Sequence, residues 1–459
     1  MENTFITQST TPFVTSTLGF PDELDTDIVD LEQPEADYEE PSRPEEVESF
    51  LESYFPAGLI YANAAFHAYT NGYWKRLDEQ TEIRRKIVEH HGDEAKEGKT
   101  RNLLALLRDF LARTEKEVEP DRNLICLRNG TFNATTFALI PHSPEHWLRN
   151  SLYIDWNPSA TCPRWHQFLD EIFVTDADRA QKIAFIQQWF GYCLVPDNSL
   201  HKFLWMIGGG GNGKSALLKV LTALVGPENV NHAHLEQLGK TFVRAELESK
   251  LLNISPEIST NAKMADGYLK QIVAGDVVEA ERKFKPSFSF RPYVRLIAAA
   301  NQLPRLTDTS EGFYRRAIIL KFNRKFTEAE QDPTLEHTLL AELPGILAWA
   351  VDGLRSLRHH GHFTIPDSSK AALDQYRVES DAEKLFADAC LTPVTRGGKR
   401  PADIYAAYIT WCKALGLRVK DIIGFGKRLA EMGFEYRMSS GKKHWLVSIN
   451  MADGINWTH

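Results

Sequence analysis

The stretch that decides the fold is Phe203-Leu204-Trp205-Met206-Ile207-Gly208-Gly209-Gly210-Gly211-Asn212-Gly213-Lys214-Ser215, continued by an apolar-faced run to Val225. Five apolar residues in a row read as a buried strand. Ala216–Val225, with Leu217, Leu221, Leu224 and Val225 on one face and Gly226-Pro227 behind, reads as a helix with its stop signal. Between them Gly208, Gly209, Gly210, Gly211, Asn212, Gly213, Lys214 and Ser215 satisfy G-x-x-x-x-G-K-[ST]. Glycines let backbone N–H groups curl around phosphate oxygens at a helix N-terminus, where the dipole favours anions. In such a loop Lys214 bridges the β- and γ-phosphates and Ser215 holds Mg²⁺. The alternative, a flexible glycine turn with an incidental lysine, does not account for strand, loop and helix in this order.

Working outward, the central block of about 200–325 alternates apolar strands with helices, as a parallel α/β sheet does. Leu251-Leu252-Asn253-Ile254-Ser255-Pro256-Glu257 reads as a strand ending in a carboxylate, where Glu257 is placed to position Mg²⁺ or polarise water. Pro256 should stop that strand, and standing alone Glu257 would read as a surface acid. The run Val294–Ala300 ends at Asn301, whose amide is placed to orient an attacking water or touch a γ-phosphate; the plain reading is a turn-forming asparagine. Arg315 and Arg316 precede the strand-like Ala317–Phe322 and offer a guanidinium fork for transition-state charge, or else a surface ion pair. Residues 277–290 alternate about a Lys283–Pro286 tip and read as a β-hairpin. There Arg282, Lys283 and Lys285 suit phosphates and Phe284 suits a base, against the alternative of an ordinary exposed tip.

The flanks are read from composition. Residues 1–48 hold fourteen acids and one base (Arg43), so the net charge of −9 leaves +4 on residues 49–459. That segment reads as a disordered acidic tail, solvated or else competing with DNA or docking a partner. Residues 49–154 read as an N-terminal α+β domain, with strands around Asn71-Gly72, charged helices over about 78–117, and a strand Leu124–Leu127 before Asn129-Gly130. Residues 155–200 read as a helical region in which Trp165, Trp189 and Tyr192 are core rather than a base-stacking platform. Residues 327–379 form a helical linker, and His359-His360-Gly361-His362 within it reads as a polar loop rather than a metal site. The last domain, 380–459, places helices at Pro401–Leu415 and Phe425–Met432 before a ribbon turning at Ser440-Gly441, a winged-helix pattern. Lys427, Arg428, Lys442 and Lys443 are its candidate DNA contacts, with protein docking equally open. Scattered Cys126, Cys162, Cys193, Cys390 and Cys412 argue against a disulfide framework or zinc site, and neither a signal peptide nor a membrane span is legible. A cytoplasmic location is the expectation, that of a bacterial host if the chain is phage-encoded.

The four elements of the central block resemble the superfamily 3 helicases, in particular the helicase half of satellite-phage and poxvirus-type primase-helicases. Leu269-Lys270, Gly275-Asp276, Arg282-Lys283-Phe284-Lys285, Phe290-Arg291-Pro292, Asn301-Gln302-Leu303-Pro304 and Arg315-Arg316 fall in that family's order. Asp155-Trp156-Asn157-Pro158 and Pro163-Arg164-Trp165 resemble its helical collar. The resemblance implies an AAA-type P-loop ATPase core (201–326) behind a collar (155–200), with a C-terminal winged helix. It further implies a homo-hexameric ring that hydrolyses ATP with Mg²⁺ and moves 3′ to 5′ on single-stranded or forked DNA. Lys214, Ser215, Glu257 and Asn301 would serve the nucleotide in one subunit and Arg315 or Arg316 would reach across from a neighbour. A DNA-bound ATPase acting as an origin or sensing switch is the alternative. A bifunctional primase-helicase is less favoured, because about 150 residues precede the collar and Asp25-Thr26-Asp27 lacks strand context. A separate primase is therefore the expected partner.

Overall fold

The computed structural model describes residues 44–114, 116–255, 266–304, 311–417, 419–439 and 441–450. Helix α1 (Glu45–Tyr54) opens them with Glu45, Glu46 and Glu48 in its first turn, where carboxylates complement the helix dipole. Residues 45–48, expected in the acidic tail, are thus helical, because Val47 and Phe50 are buried beneath them. Strands β1 (Leu59–Ala62), β2 (Ala65–Thr70) and β3 (Tyr73–Leu77) form an antiparallel sheet. Its second turn is the expected Asn71-Gly72, both at positive φ. Its first is Asn63-Ala64, at φ 50° and 56°. A π-helical turn at Glu79–Arg84, capped by Asp78, leads into α2 (Arg85–His91) and α3 (Glu97–Phe110). A second sheet of β4 (Leu124–Leu127), β5 (Gly130–Asn133), β6 (Ala138–Ile140) and β7 (Ser151–Leu152) has the order β6-β5-β4-β7.

Helices α4 (Pro163–Ile172) and α5 (Arg179–Tyr192) follow, with Trp165, Trp189 and Tyr192 in the core as expected. The chain then alternates β8 (Phe203–Ile207), α6 (Lys214–Val225), β9 (Val230–Asn231), α7 (Thr241–Ala245), β10 (Leu252–Ser255) and α8 (Asp266–Ala274). Strands β11 (Val278–Ala280) and β12 (Phe288–Phe290) pair as the hairpin, before β13 (Arg295–Ala300), α9 (Glu311–Tyr314) and β14 (Ala317–Lys321). The five long-range strands make one all-parallel sheet in the order β14-β8-β13-β10-β9. Both of its faces are covered, which is why its strands are apolar without alternation. Leu204 and Met206 pack with Leu217, Leu221 and Ile297 on one side, and Phe203 and Trp205 with Leu296 and Ile319 on the other.

Helices α10 (Leu335–Ala341), α11 (Leu343–His360) and α12 (Asp367–Ser380) come next. Helix α11 lies so close to α5 that a Cβ on Gly353 would sit 2.1 Å from the Gln187 carbonyl oxygen. His359 and His360, expected in a loop, instead finish α11, and Gly361 closes it at φ 72°. The last part comprises α13 (Ala382–Cys390), β15 (Leu391–Pro393), α14 (Pro401–Ala414), α15 (Ile422–Glu431), β16 (Tyr436–Ser439), β17 (Lys442–Trp445) and β18 (Val447–Ile449). Phe386, Tyr408, Phe425 and Trp445 form its core. The ribbon is β16–β17 alone; β18 leaves it to pair with β15. No helix of the described residues is long and apolar enough to cross a membrane.

Candidate functional site

Strands β8 and β13 are neighbours, and the chain leaves their carboxyl ends in opposite directions, from β8 toward β9 at one edge of the sheet and from β13 toward β14 at the other. Ligands of open parallel sheets bind in the crevice at such a point. The register sets the neighbours: Ala300 and Lys321 both pair with Ile207, and Ser255 pairs with Ala298. Gly208, Asn301 and the end of β10 therefore converge at one edge.

A cavity of about 590 Å³ opens there, lined by Gly209–Ala216, Ser255 and Asn301. The loop is held on both sides. The Gly208 N–H donates to the Ala300 carbonyl oxygen (3.2 Å), and the Phe326 N–H donates to that of Gly211 (2.7 Å). Gly213 sits at φ 87°, and a Cβ there would lie 2.5 Å from Ile172 Cγ2. Only glycine meets both the left-handed backbone and the contact with α4. Lys214 is 8% exposed, and its ammonium donates to the carbonyl oxygens of Gly208 and Gly209 and to Asn212 Oδ1. Ser215 is exposed at the start of α6. Asn253, which interrupts the apolar character of β10, is buried and fully engaged: its amide bonds Asn231, the Ala233 N–H and the Ala233 carbonyl. Glu257 lies outside the described residues.

The remaining cavity wall was not legible in the glycine motif. It comes from Arg164, Phe168 and Glu171 on α4 and from Phe326, Glu330, Asp332 and Leu335 beyond β14. Arg164 pairs with Glu171 at 3.3 Å, while Arg324 pairs with Glu330 and stacks on Phe326 at 4.2 Å. The only sequence signal for this wall was Pro163-Arg164-Trp165, which resembles the collar.

Arg315 and Arg316 lie elsewhere. The Arg316 carbonyl accepts from the Phe203 N–H, at the amino end of β8. Five residues at about 3.3 Å each separate that end from the glycine loop, or roughly 16 Å. Arg315 is exposed, whereas Arg316 donates to the Gly312 carbonyl and is drawn below its usual pKa by burial and then by Arg315.

The hairpin tip divides its four candidate residues. Phe284 is 93% exposed, and Lys283 lies over its ring. Arg282 is not on that open tip: it is 9% exposed, pairs with buried Glu248 at 2.9 Å and donates to the Asn63 carbonyl. Lys285 reaches the Ala64 carbonyl and Glu79, both at 3.3 Å. Two left-handed residues in the β1–β2 turn present those carbonyls, so these cations are engaged by their own chain. In the last part, Lys427 and Lys442 are exposed. Lys443 lies over the rings of Tyr436 and Trp445, and Arg428 is taken up by Asp381 and Glu431.

Two family models match the chain: "D5 N terminal like" over residues 48–174, and a family of unknown function, DUF5906, over 206–316. A helicase-named protein of Acanthamoeba polyphaga mimivirus is 22% identical over 329 residues, covering 65% of this chain and 34% of its own length. A helicase-named protein of Invertebrate iridescent virus 3 is likewise 22% identical, covering 63% and 34%. The chain thus spans about a third of these relatives. An apo structure of the NrS-1 C-terminal region has the same fold, with a TM-score of 0.52 at 12% identity, covering 90% of this chain and 100% of that one.

Proposed function

Because the chain fits a phage or viral primase-helicase family, we propose that it is an ATP-hydrolysing DNA helicase of superfamily 3. The observation that carries this reading is the convergence of Lys214, Ser215 and Asn301 on one cavity at the carboxyl edge of the parallel sheet. In this reading the loop N–H groups and the start of α6 hold the phosphates of ATP. Lys214 swings from the loop carbonyls to the β- and γ-phosphates, and Asn301 orients the attacking water. Phe168, Phe326 and Leu335 offer apolar surface to the base. The Ser215 hydroxyl facing the cavity is a hard oxygen donor of the kind Mg²⁺ takes. When bound, the ion supplies charge neutralisation at the transferred phosphoryl group; Glu257 is its second proposed holder.

An arginine about 16 Å from the loop of its own subunit cannot reach that nucleotide. Arg315, exposed at the amino edge, therefore serves a neighbour's nucleotide, which requires a ring, and a hexamer is the proposed form. Lys283 and Phe284 are the hairpin's DNA contacts, and Lys427 and Lys442 are those of a C-terminal winged helix. One observation favours a second reading, a nucleotide-dependent DNA-binding switch: Arg282 and Lys285 anchor the hairpin to the N-terminal part instead of leaving it free to move. Hydrolysis assays test the nucleotide half of the proposal. ATP turnover should rise with single-stranded DNA and vanish in Lys214→Ala and Asn301→Ala; turnover indifferent to both substitutions would overturn it.

A further inference from the structure

We propose that a second groove, outside the hairpin and the last domain, binds the phosphodiester backbone of single-stranded DNA. Two cavities of about 370 and 680 Å³ form it, with Arg122 in the wall of both. The first is lined by Lys116, Arg122, Arg149 and Arg291, the second by Arg122, Arg355 and Arg358. Against these six cations stand three lining carboxylates, Glu119, Glu248 and Asp197. Glu248 is already held by Arg282, and Glu119 makes only an exposed i,i+3 pair with Arg122. The Arg355–Asp352 pair is of the same exposed kind. Such exposed pairs are weak and exchange readily for a phosphate.

Arg149 is the most telling residue. Its Nη1 lies 2.9 Å from His67 Nε2, and its Nε is buried with no hydrogen-bond partner among the described residues. His67 is 1% exposed, and burial, then the charge of Arg149, holds its pKa well below the usual value. A neutral imidazole therefore accepts from the guanidinium and leaves its positive charge uncompensated. No carboxylate among the described residues lies within ion-pair distance of Arg149. A shielded guanidinium in that state favours an incoming anion.

A strand fits better than a single small anion. The cations line two cavities that share Arg122, and Arg355 stacks on Phe137 at 4.2 Å, a cation-and-ring platform of the kind on which bases stack. Arg291 directly follows Phe290, the end of β12. The groove therefore begins at the base of the hairpin, and only this direction rests on reading the hairpin as a DNA contact.

The test is anisotropy of a labelled oligothymidylate with the full chain, titrated at several salt concentrations. The double variant Arg122→Gln/Arg355→Gln alters two exposed side chains, and its melting temperature should be unchanged. Each phosphate contact on a single strand contributes about 0.7 to the slope of log affinity against log salt. The double variant should therefore lower the slope by about 1.4, and counterion release alone puts the affinity loss at about 25-fold at 0.1 M salt. Arg149→Gln should lower it by a further ~0.7. Binding of a fluorescent ATP analogue should not change. An unchanged slope in the folded double variant overturns the groove, whatever Arg149→Gln does. Loss of ATP turnover bears on the motor reading and leaves the salt slope to decide this one.

Discussion

Substituting Gly213 by alanine tests the geometry of the phosphate-binding loop at its tightest point. Two separate costs arise. The residue sits at φ 87° and ψ −8°, and a left-handed L-residue costs about 1–2 kcal/mol. The new methyl would lie 2.5 Å from Ile172 Cγ2 and 3.4 Å from Phe168 Cε2, and overpacking of that kind costs about 1–3 kcal/mol. Gly213→Ala should therefore destabilise the chain by about 2–5 kcal/mol, with weaker ATP binding as the loop shifts. Gly210, with nothing within 4 Å of an added Cβ and no positive φ, is the control, and Gly210→Ala should stay within about 0.5 kcal/mol. The two costs separate in a double-mutant cycle. Ile172 is fully buried, so Ile172→Ala alone should cost about 2–5 kcal/mol. In the double variant the overlap disappears while the backbone cost remains. The double variant should thus be more stable than the sum of the singles by about 1–3 kcal/mol. Urea denaturation of the four proteins, with ATP-analogue titrations, gives the cycle. Gly213→Ala indistinguishable from Gly210→Ala, with an additive cycle, would refute the reasoning that α4 closes on this loop.

Further outcomes follow from the hairpin and from a buried histidine. Arg282→Ala leaves buried Glu248 without its ion-pair partner and should cost about 3 kcal/mol or more in chemical denaturation, as broken buried pairs do. Lys283→Ala, at the open tip, should change stability by less than about 0.5 kcal/mol yet weaken DNA binding; equal stability losses would contradict this division of the tip. Burial keeps His67 neutral in the folded chain, while the unfolded chain takes up a proton near pH 6.5. The unfolded state then binds more protons, so stability is retained above about pH 6.5 and declines below it by up to about 1.4 kcal/mol per pH unit. Denaturation between about pH 5 and 7 should show this decline, and His67→Gln should flatten it. An unchanged slope would show that His67 does not carry it.

Much of the central block was legible because its signals are local. Strand β8 and helix α6 follow from one apolar run and one face, and Asn71-Gly72 announces its turn. The Asn63-Ala64 turn is not legible because alanine rarely adopts positive φ, and nothing in its neighbours signals that it does so here. The start of α1 is hidden within the acidic run because Glu45, Glu46 and Glu48 look like tail charge, whereas the burial of Val47 and Phe50 makes them a helix start. For the candidate site, Lys214, Ser215 and Asn301 were legible from strand ends, since the end of a parallel strand fixes where its next residue sits. The α4 and post-β14 walls were not legible, because residues such as Arg164 and Phe326 meet only in three dimensions. The fates of Arg282, Lys285 and Arg428 were hidden for the same reason: their partners Glu248, Glu79 and Asp381 are 34, 206 and 47 positions away.

The most direct test of the central claim is strand displacement from forks carrying a single 3′ or a single 5′ tail. The account predicts that ATP drives displacement from one of the two forks, and that Lys214→Ala abolishes it while the protein still binds the fork. ATP hydrolysis stimulated by single-stranded DNA, with no displacement from either fork, would contradict it.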